Sequence, residues 1–396
     1  MADSLTSPSL RWDIFCRVVD NFGDAGICWR LARQLVREQG QQVTLFIDDL
    51  AVLGRLLSEL DTNVERQSLD GIVIQHWTES GIETSGTDVV IEAFGCTLPA
   101  NYLSQLTSIT RRALWLNLEY LSAESWVEGC HLLPSPVEET SGSNLKKFFF
   151  FPGFTDKTGG LLREQDLLSR RDRFQQSDKN RSALLKQFGI NIRPNDFLIS
   201  LFSYENPALG SWLEELSQHS TRVHLLVLEG PVVKDIAYWL GEPTPRAGDH
   251  FQRGQCHLHI LPFVRPDDYD QLLWCCDLNI VRGEDSFVRA QWAGMPKLWH
   301  IYPQDDGVHL EKLDAFLTLY NQAFSPEADS AARAFWQTWN RGKNLPLAWR
   351  NLLAHWPAIQ AGSRAWCDAL SRQKKLSEQL VTFAKKQLIF APRNIS

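Results

Sequence analysis

The chain has 396 residues, of which 44% are hydrophobic and 22% are charged, and its formal net charge is −7. This length is too great for one ordinary core and predicts two domains, and the acidic balance argues against direct nucleic-acid binding. The sequence contains no apolar run long enough to cross a bilayer and no basic, then apolar, leader after Met1, so we expect a cytoplasmic protein without a membrane partner.

The N-terminal half alternates strand-like and helix-like patterns. Its apolar, β-branched runs are Trp12–Val19, Val43–Ile47, Ile72–Trp77, Asp88–Ala93 and Ala113–Leu118. Between the first two runs, apolar residues recur at helical spacing from Ile27 to Val36. Strand, helix and strand in this order predict a parallel sheet covered by helices.

The C-terminal half repeats this alternation after Arg193-Pro194. Its strand-like runs are Phe197–Tyr204, Val223–Leu228, His257–Phe263, Leu278–Val281 and Lys297–Tyr302. We expect an α/β fold with two Rossmann-like, doubly wound domains and a ligand cleft where the carboxyl ends of their strands face each other. The predicted domains are residues 1–188 and 189–362, and a C-terminal helical segment, 363–396, is predicted to pack back toward the first domain.

The loop after the first predicted strand is the most unusual segment of the N-terminal half. Residues 20–26 read DNFGDAG, so that two carboxylates, Asp20 and Asp24, flank a glycine turn that lets a ligand approach the backbone. The positive end of the following helix keeps Asp24 ionised, which makes it a candidate general base. The alternative is that Asp24 only caps the helix and Asp20 only stabilises the turn.

A second candidate segment follows the fourth strand-like run of the C-terminal half. Residues 282–289 read RGEDSFVR, and a helix that begins near Ser286 presents free backbone N–H groups to a phosphate. Arg282 and Arg289 offer positive charge for a diphosphate, and Glu284 offers a carboxylate for sugar hydroxyls. We interpret Asp285 as a helix cap or a ribose contact. The alternative is an ordinary capped helix with surface ion pairs.

Aromatic and polar residues at other strand ends complete the candidates. Tyr204 and Phe263 each end a predicted strand, where an aromatic ring stacks on a nucleobase or, alternatively, packs at the rim of the sheet. Two polar pairs are weaker candidates, the first for a sugar and the second for an acceptor: Gln304 with Asp305, and Glu119 with Tyr120.

The sequence predicts no metal site and no bound cofactor. Its ten histidines are scattered, and its eight cysteines include no CxxC pair, so we interpret the cysteines as reduced core residues. No P-loop or GxSxG motif is found.

Four segments together resemble a known family. They read WDIFCRVVDNFGDAGICWRLARQL from Trp12, LWLNLEYLSAESWVEGCH from Leu114, FFFPGF from Phe149, and RGEDSFVRAQWAGMPKLWHIYPQDDGVHLEKLDAF from Arg282. They are similar to the EarP family, the bacterial arginine rhamnosyltransferases of translation elongation factor P. The resemblance covers most of the chain and excludes the residues before Trp12.

This resemblance implies a GT-B-type glycosyltransferase, with acceptor binding in the N-terminal domain and donor binding in the C-terminal domain. It implies transfer of L-rhamnose from dTDP-β-L-rhamnose to an arginine of elongation factor P, which activates that factor in translation. It also implies inversion at the anomeric carbon without a metal.

The matched motifs also assign residues. The family's catalytic aspartate falls on Asp24, and Asp20 and Glu284 are expected to take part with it. The residues expected at the donor are Asn21, Phe22, Gly23, Tyr204, Phe263, Arg282, Glu284, Asp285 and Ser286.

Two other functions fit the same sequence features. A nucleotide-sugar epimerase or hydrolase of this fold turns over the donor without a protein acceptor. A non-catalytic nucleotide-sugar-binding protein binds dTDP and transfers nothing, although the carboxylates at Asp20, Asp24 and Glu284 argue against it.

Overall fold

The computed structural model describes residues 9–19, 22–78, 82, 86–108, 113–136, 145–304 and 306–389. The chain forms two compact units. The first unit is Met1–Gln165 together with Gln373–Ser396, and the second is Asp166–Arg372. Among the described residues, no helix combines the length and the apolar character needed to cross a membrane.

The first unit holds a sheet of seven strands within its described residues. The strands are β1 (Arg11–Cys16), β2 (Gln42–Ile47), β3 (Arg66–Leu69), β4 (Ile72–His76), β5 (Val89–Ala93), β6 (Leu114–Leu118) and β7 (Lys146–Phe150). Their order is β3-β4-β2-β1-β5-β6-β7, and every pair is parallel except β3 with β4. The chain winds outward from β1 in both directions, so the topological switch point lies between β1 and β5.

Helices cover this sheet because their apolar residues recur on one face. They are α1 (Phe22–Arg37), α2 (Leu50–Leu56), α3 (Ala100–Ser108) and α4 (Trp126–Cys130). In α1, the predicted apolar positions Ile27, Cys28, Leu31, Ala32 and Leu35 are all buried. This burial confirms the helical interpretation of that segment.

The second unit holds a sheet of six strands within its described residues. The strands are β8 (Phe197–Leu201), β9 (Val223–Val227), β10 (His250–Arg253), β11 (Cys256–Ile260), β12 (Leu278–Arg282) and β13 (Lys297–His300). Their order is β10-β11-β9-β8-β12-β13, and only β10 with β11 is antiparallel. This winding places a second switch point between β8 and β12.

The helices of the second unit precede, connect and follow its strands. They are α5 (Leu167–Gln175), α6 (Asp178–Gln187), α7 (Leu209–Ser217), α8 (Val232–Leu240), α9 (Pro266–Cys275), α10 (Glu284–Ala293), α11 (Val308–Tyr320), α12 (Pro326–Arg341), α13 (Leu345–Ala354) and α14 (Trp356–Ser371). The chain then returns to the first unit as α15 (Leu376–Ile389), which contacts α1 and β6.

The structure confirms the predicted α/β class, and each predicted strand-like run contains a parallel strand. The sequence pattern does not predict β3, β7 or β10, which all lie at sheet edges. β3 and β10 are four-residue strands with mostly exposed or half-buried side chains, and each pairs antiparallel with the next strand. Such strands carry too little apolar alternation to be recognised.

The units divide at Gln165 and Arg372, whereas the sequence pattern sets the boundaries at residues 188 and 362. The helices α5 and α6 both pack on α9 of the second unit. Arg171 of α5 is buried, and its Nη1 donates to the carbonyl oxygen of Trp292 at 2.9 Å. Residues 163–181 are strongly charged, so the sequence does not indicate that α5 packs in the second unit. One of the side chains that α5 buries there is itself charged, Arg171.

Candidate active site

The first group of candidate residues lies at the carboxyl end of β1. Asp24 is in the first turn of α1 and is only 3% exposed. Its Oδ2 accepts a hydrogen bond from the backbone N–H of Val19 at 2.9 Å. The loop before α1 and the helix start therefore fix one orientation of this carboxylate, at the helix end that favours negative charge. Asp20 and Asn21 lie outside the described residues.

Val18, which follows β1, and Phe22, the first residue of α1, have partners that the sequence pattern does not show. The guanidinium of Arg55 lies 5.1 Å from the ring centroid of Phe22, which is a cation–π distance. The backbone N–H of Val18 donates to Oδ1 of Asp48 at 2.9 Å. Asp48 thus places a second carboxylate beside the loop, and Gly23 lies half-buried between Phe22 and Asp24.

A polar cluster extends along β5, β6 and β7 in the same unit, from Trp115 and Lys147 near the starts of β6 and β7 to Glu119 just after β6. Oε2 of Glu92 accepts from Trp115 Nε1 and pairs with Lys147 Nζ, both at 2.9 Å. Asn117 Nδ2 donates to Oε1 of Glu119 at 2.7 Å. Burial raises the pKa of Glu119 above its ordinary value, and the nearby Glu92 adds to this effect.

Tyr120 follows Glu119 and is exposed. Its ring stacks on Phe94 at a centroid distance of 5.0 Å. Together Glu119 and Tyr120 present a half-buried carboxylate and an exposed aromatic ring, a combination that suits a cationic group.

In the second unit, Arg282 is the centre of the candidate residues at the switch point. Its guanidinium carbon lies 4.6 Å from the ring centroid of Phe202 and 4.9 Å from that of Tyr204. Ser203 Oγ and His300 Nδ1 are 2.7 Å apart, and burial lowers the pKa of His300 to about 3, with a smaller contribution from Arg282. The cationic charge here therefore belongs to Arg282 and not to His300.

The backbone conformation between β12 and α10 requires glycine at position 283. Its φ of 65° and ψ of 179° form a combination that is essentially restricted to glycine. The helix begins at Glu284, two residues before the predicted start, and Glu284 and Asp285 occupy its first turn. Ser286 is buried, and its hydroxyl donates to the carbonyl oxygen of Arg282. The backbone N–H groups at this helix start can donate hydrogen bonds to an anion.

Arg289, which the sequence suggested for a diphosphate, has a different partner. Its guanidinium is 1% exposed and donates from Nε to Oδ1 of Asp270 at 2.7 Å and from Nη2 to Oδ2 at 2.5 Å. This bidentate pair joins α10 to α9, so we assign Arg289 no ligand contact.

The remaining candidates lie at the ends of β11 and β13. Phe263 follows β11 and is half-buried. Gln304 is exposed, and its backbone N–H donates to His309 Nδ1 at 3.1 Å, while Asp305 lies outside the described residues. Tyr302 is exposed and meets Tyr204 edge to face at 5.5 Å. Tyr302 ends the predicted strand Lys297–Tyr302, and this position at a strand end is the sequence signal for its ring.

The described residues contain no group of three or more His, Cys, Asp or Glu side chains arranged to hold a metal ion.

Comparison with known proteins identifies similar sequences over nearly the whole chain. The model of a family described as Elongation-Factor P (EF-P) rhamnosyltransferase EarP matches residues 12–385. A protein-arginine rhamnosyltransferase of Pseudomonas putida is 50% identical over 377 residues, covering 95% of this chain and 99% of that protein. One of Pseudomonas aeruginosa is 47% identical over 372 residues, covering 94% of this chain and 98% of that protein.

Solved structures agree with these sequence matches. One, which concerns EarP-mediated arginine glycosylation of translation elongation factor EF-P, has a TM-score of 0.69 and 40% identity and covers 96% of this chain and 99% of its own. A glycosyltransferase from Rickettsia africae has a TM-score of 0.50 and 9% identity and covers 98% of this chain and 100% of its own, so its likeness concerns the fold alone. The two doubly wound units have the GT-B glycosyltransferase fold.

Proposed function

Because this chain belongs to the EarP family and is a protein-arginine rhamnosyltransferase, we propose that it transfers L-rhamnose from dTDP-β-L-rhamnose to an arginine of translation elongation factor P. The transfer inverts the anomeric carbon in a single displacement. The observation that carries this proposal is the buried Asp24 carboxylate, which the Val19 amide and the start of α1 fix in one orientation.

The acceptor needs such a carboxylate because a guanidinium is a poor nucleophile. It is cationic, with a pKa above about 12, and its lone pairs are delocalised. A fixed carboxylate that binds two of its N–H groups localises the positive charge and accepts a proton as the new bond forms. Asp24 takes this part, and Asp20, four residues earlier in the sequence, assists it.

The proposed step conserves atoms and charge. A guanidinium nitrogen forms a bond to C1 of rhamnose while the bond from C1 to the diphosphate oxygen breaks. The electron pair of the broken bond leaves with dTDP, and the proton on the attacking nitrogen passes to Asp24. The sugar becomes oxocarbenium-like on the way, and a nearby carboxylate stabilises that charge.

The second unit supplies the groups for the donor. Arg282 and the N-terminal end of α10 bring positive charge to the departing diphosphate, the part that a metal ion takes in other transferases. Phe263 stacks on the thymine, and Tyr204 contacts the donor beside Arg282. The first-turn residues Glu284, Asp285 and Ser286 bind sugar and ribose hydroxyls and the diphosphate.

On the acceptor side, we assign Glu119 and Tyr120 to the approaching arginine. The raised pKa of Glu119 means that burial disfavours its ionised form, and a docked guanidinium restores it. Since the acceptor is a translation factor, the reaction takes place in the cytoplasm.

The intact mass of elongation factor P tests this function. The purified factor is incubated with this protein and dTDP-β-L-rhamnose in the presence of EDTA. The proposal predicts a gain of one deoxyhexosyl group per factor. Release of dTDP without any mass gain would identify a hydrolase, and dTDP binding without turnover would identify a binding protein, and either result would overturn the proposal.

A further inference from the structure

The carboxylate of Glu284 has a charged neighbour that no motif assigns. Lys312, on the second turn of α11, places its Nζ 3.4 Å from Oε1 of Glu284. Both side chains are largely withdrawn from water, at 25% exposed for Lys312 and 15% for Glu284. An ion pair at this depth is less screened than one on the surface, so each partner influences the position of the other.

Packing around this pair involves Trp299 of β13. The Trp299 ring stacks on Phe287 at 4.2 Å, and Lys312 Nζ lies 5.7 Å from the Trp299 ring. Trp299 Nε1 donates to the carbonyl oxygen of Gly283 at 3.1 Å, directly before Glu284 in the chain. Strand β13 thus supports the loop backbone through Trp299, and helix α11 supports the carboxylate through Lys312.

We propose that Lys312 is a positioning residue for rhamnosyl transfer, which keeps the Glu284 carboxylate aimed at the hydroxyls of the bound sugar. This inference rests on the proposed function. Lys312 acts through Glu284 and touches no substrate. Without the ion pair to Lys312, the Glu284 side chain loses this restraint on its position, and a displacement of about 1 Å at a positioning group costs on the order of 10²-fold in rate.

Kinetics of Lys312 variants test this assignment. We expect Lys312→Met to lower kcat by roughly 10- to 100-fold, while the Kd for dTDP, measured by calorimetry, changes by less than about threefold. Lys312→Arg, which keeps the cation, should recover most of the rate. Lys343→Met removes an exposed lysine that follows the Gly342 cap of α12 and should behave as wild type. If Lys312→Met melts well below this control, Lys312→Gln replaces it.

A double-mutant cycle with Glu284→Gln separates action through Glu284 from direct action on the donor. If Lys312 works only through Glu284, adding Lys312→Met to Glu284→Gln changes the residual rate by less than about twofold. Multiplicative losses, or a large increase in the Kd for dTDP, would show that Lys312 binds the diphosphate and would overturn the inference. Wild-type protein that transfers no rhamnose would instead refute the proposed function, and an active Lys312→Met variant would refute only this inference.

Discussion

At the scale of single residues, Asp24 combines burial, a fixed hydrogen bond and a helix start. The same features would also suit a purely structural residue, which caps a loop by accepting an amide hydrogen bond. Asparagine distinguishes the two roles, because its side-chain oxygen still accepts from the Val19 amide but cannot accept a proton from the acceptor.

We therefore predict that Asp24→Asn lowers the rate of transfer by about 10²- to 10⁴-fold, the contribution typical of a positioned base. Binding of dTDP, measured by calorimetry, should stay within a few-fold of wild type. Asp49→Asn is the matched control, because Asp49 also starts a helix and accepts the Val52 amide at 2.9 Å. Near wild-type transfer by Asp24→Asn would contradict the base assignment.

Lys297 is an isolated buried cation in the second unit. Its Nζ has no hydrogen-bond partner among the described residues and lies 4.0 Å from the ring centroid of Tyr320. Burial lowers the pKa of Lys297 to about 7. In the unfolded chain the amine keeps its ordinary pKa near 10.5, so between pH 7 and 10.5 the unfolded state binds more protons and stability rises with pH.

We predict that Lys297→Met removes this pH dependence and raises stability at neutral pH. The wild-type free energy of unfolding should gain up to about 1.4 kcal/mol per pH unit relative to the variant between pH 7 and 9. Chemical denaturation of both proteins at a series of pH values measures the difference. If the free energies of unfolding of the wild type and the variant changed with pH by the same amount, Lys297 would be solvated or paired in solution, contrary to the prediction.

At the scale of elements, the sequence predicts strands and helices whose apolar pattern is regular. It misses contacts between residues that are far apart in the chain. The parallel strands other than β7 are recognisable because both faces are largely buried and their runs are apolar. The edge strands β3 and β10 are not, because they are short and mostly in contact with water. The loops after β1 and β12 stand out through their glycines and charges. The Asp270 partner of Arg289 lies on another helix, and no local pattern indicates it.

Three strands of the second unit, β9, β10 and β11, bring histidines into one chain of hydrogen bonds that ends at Asp196. Asp196, before β8, lies 3.1 Å from His224 Nε2, and His224 Nδ1 lies 2.9 Å from His259 Nε2. His259 Nδ1 then lies 2.8 Å from His250 Nδ1. Since the Asp196 carboxylate accepts from His224 Nε2–H, two neutral inner rings require that His224 Nδ1 accepts from His259 and His259 Nδ1 accepts from His250.

The charges around this chain come from several elements. Arg222 pairs with Asp196, the backbone N–H of Arg193 also donates to Asp196, and His257 stacks on His224 at 4.8 Å. Burial lowers the pKa of His224 to about 4 and that of His259 to about 3, and the neighbouring histidines add to this shift. The unfolded chain binds these protons near pH 6.5, so stability is lost as pH falls from about 6.5 toward 4.

We predict that the imidazole resonances of His224 and His259 do not titrate above about pH 5 in the folded protein. In denaturant, the same residues should titrate near their ordinary value of about 6.5. NMR of labelled protein, with His224→Gln and His259→Gln for assignment, provides the measurement. Titration of both rings between pH 6 and 7 in the folded state would contradict the neutral chain.

At the scale of the whole molecule, the strands of each unit are added outward on both sides of a switch point. The candidate residues of each unit lie at that unit's own switch point. Asp24 follows β1 in the first unit, and Arg282 with Glu284 follows β12 in the second. The chain reaches both places because parallel strands end at the same edge of a sheet. This placement follows from the order of strands in the sequence, whereas the support of Glu284 by Lys312 follows only from packing.

The final measurement is the configuration of the anomeric carbon in rhamnosylated elongation factor P. The central claim is that the arginine displaces dTDP directly, with Asp24 as the base. A single displacement on a β-linked donor yields an α-linked rhamnosyl arginine. NMR of the modified peptide should therefore show only the α anomer. A β-linked product would require two displacements through an intermediate and would contradict the account.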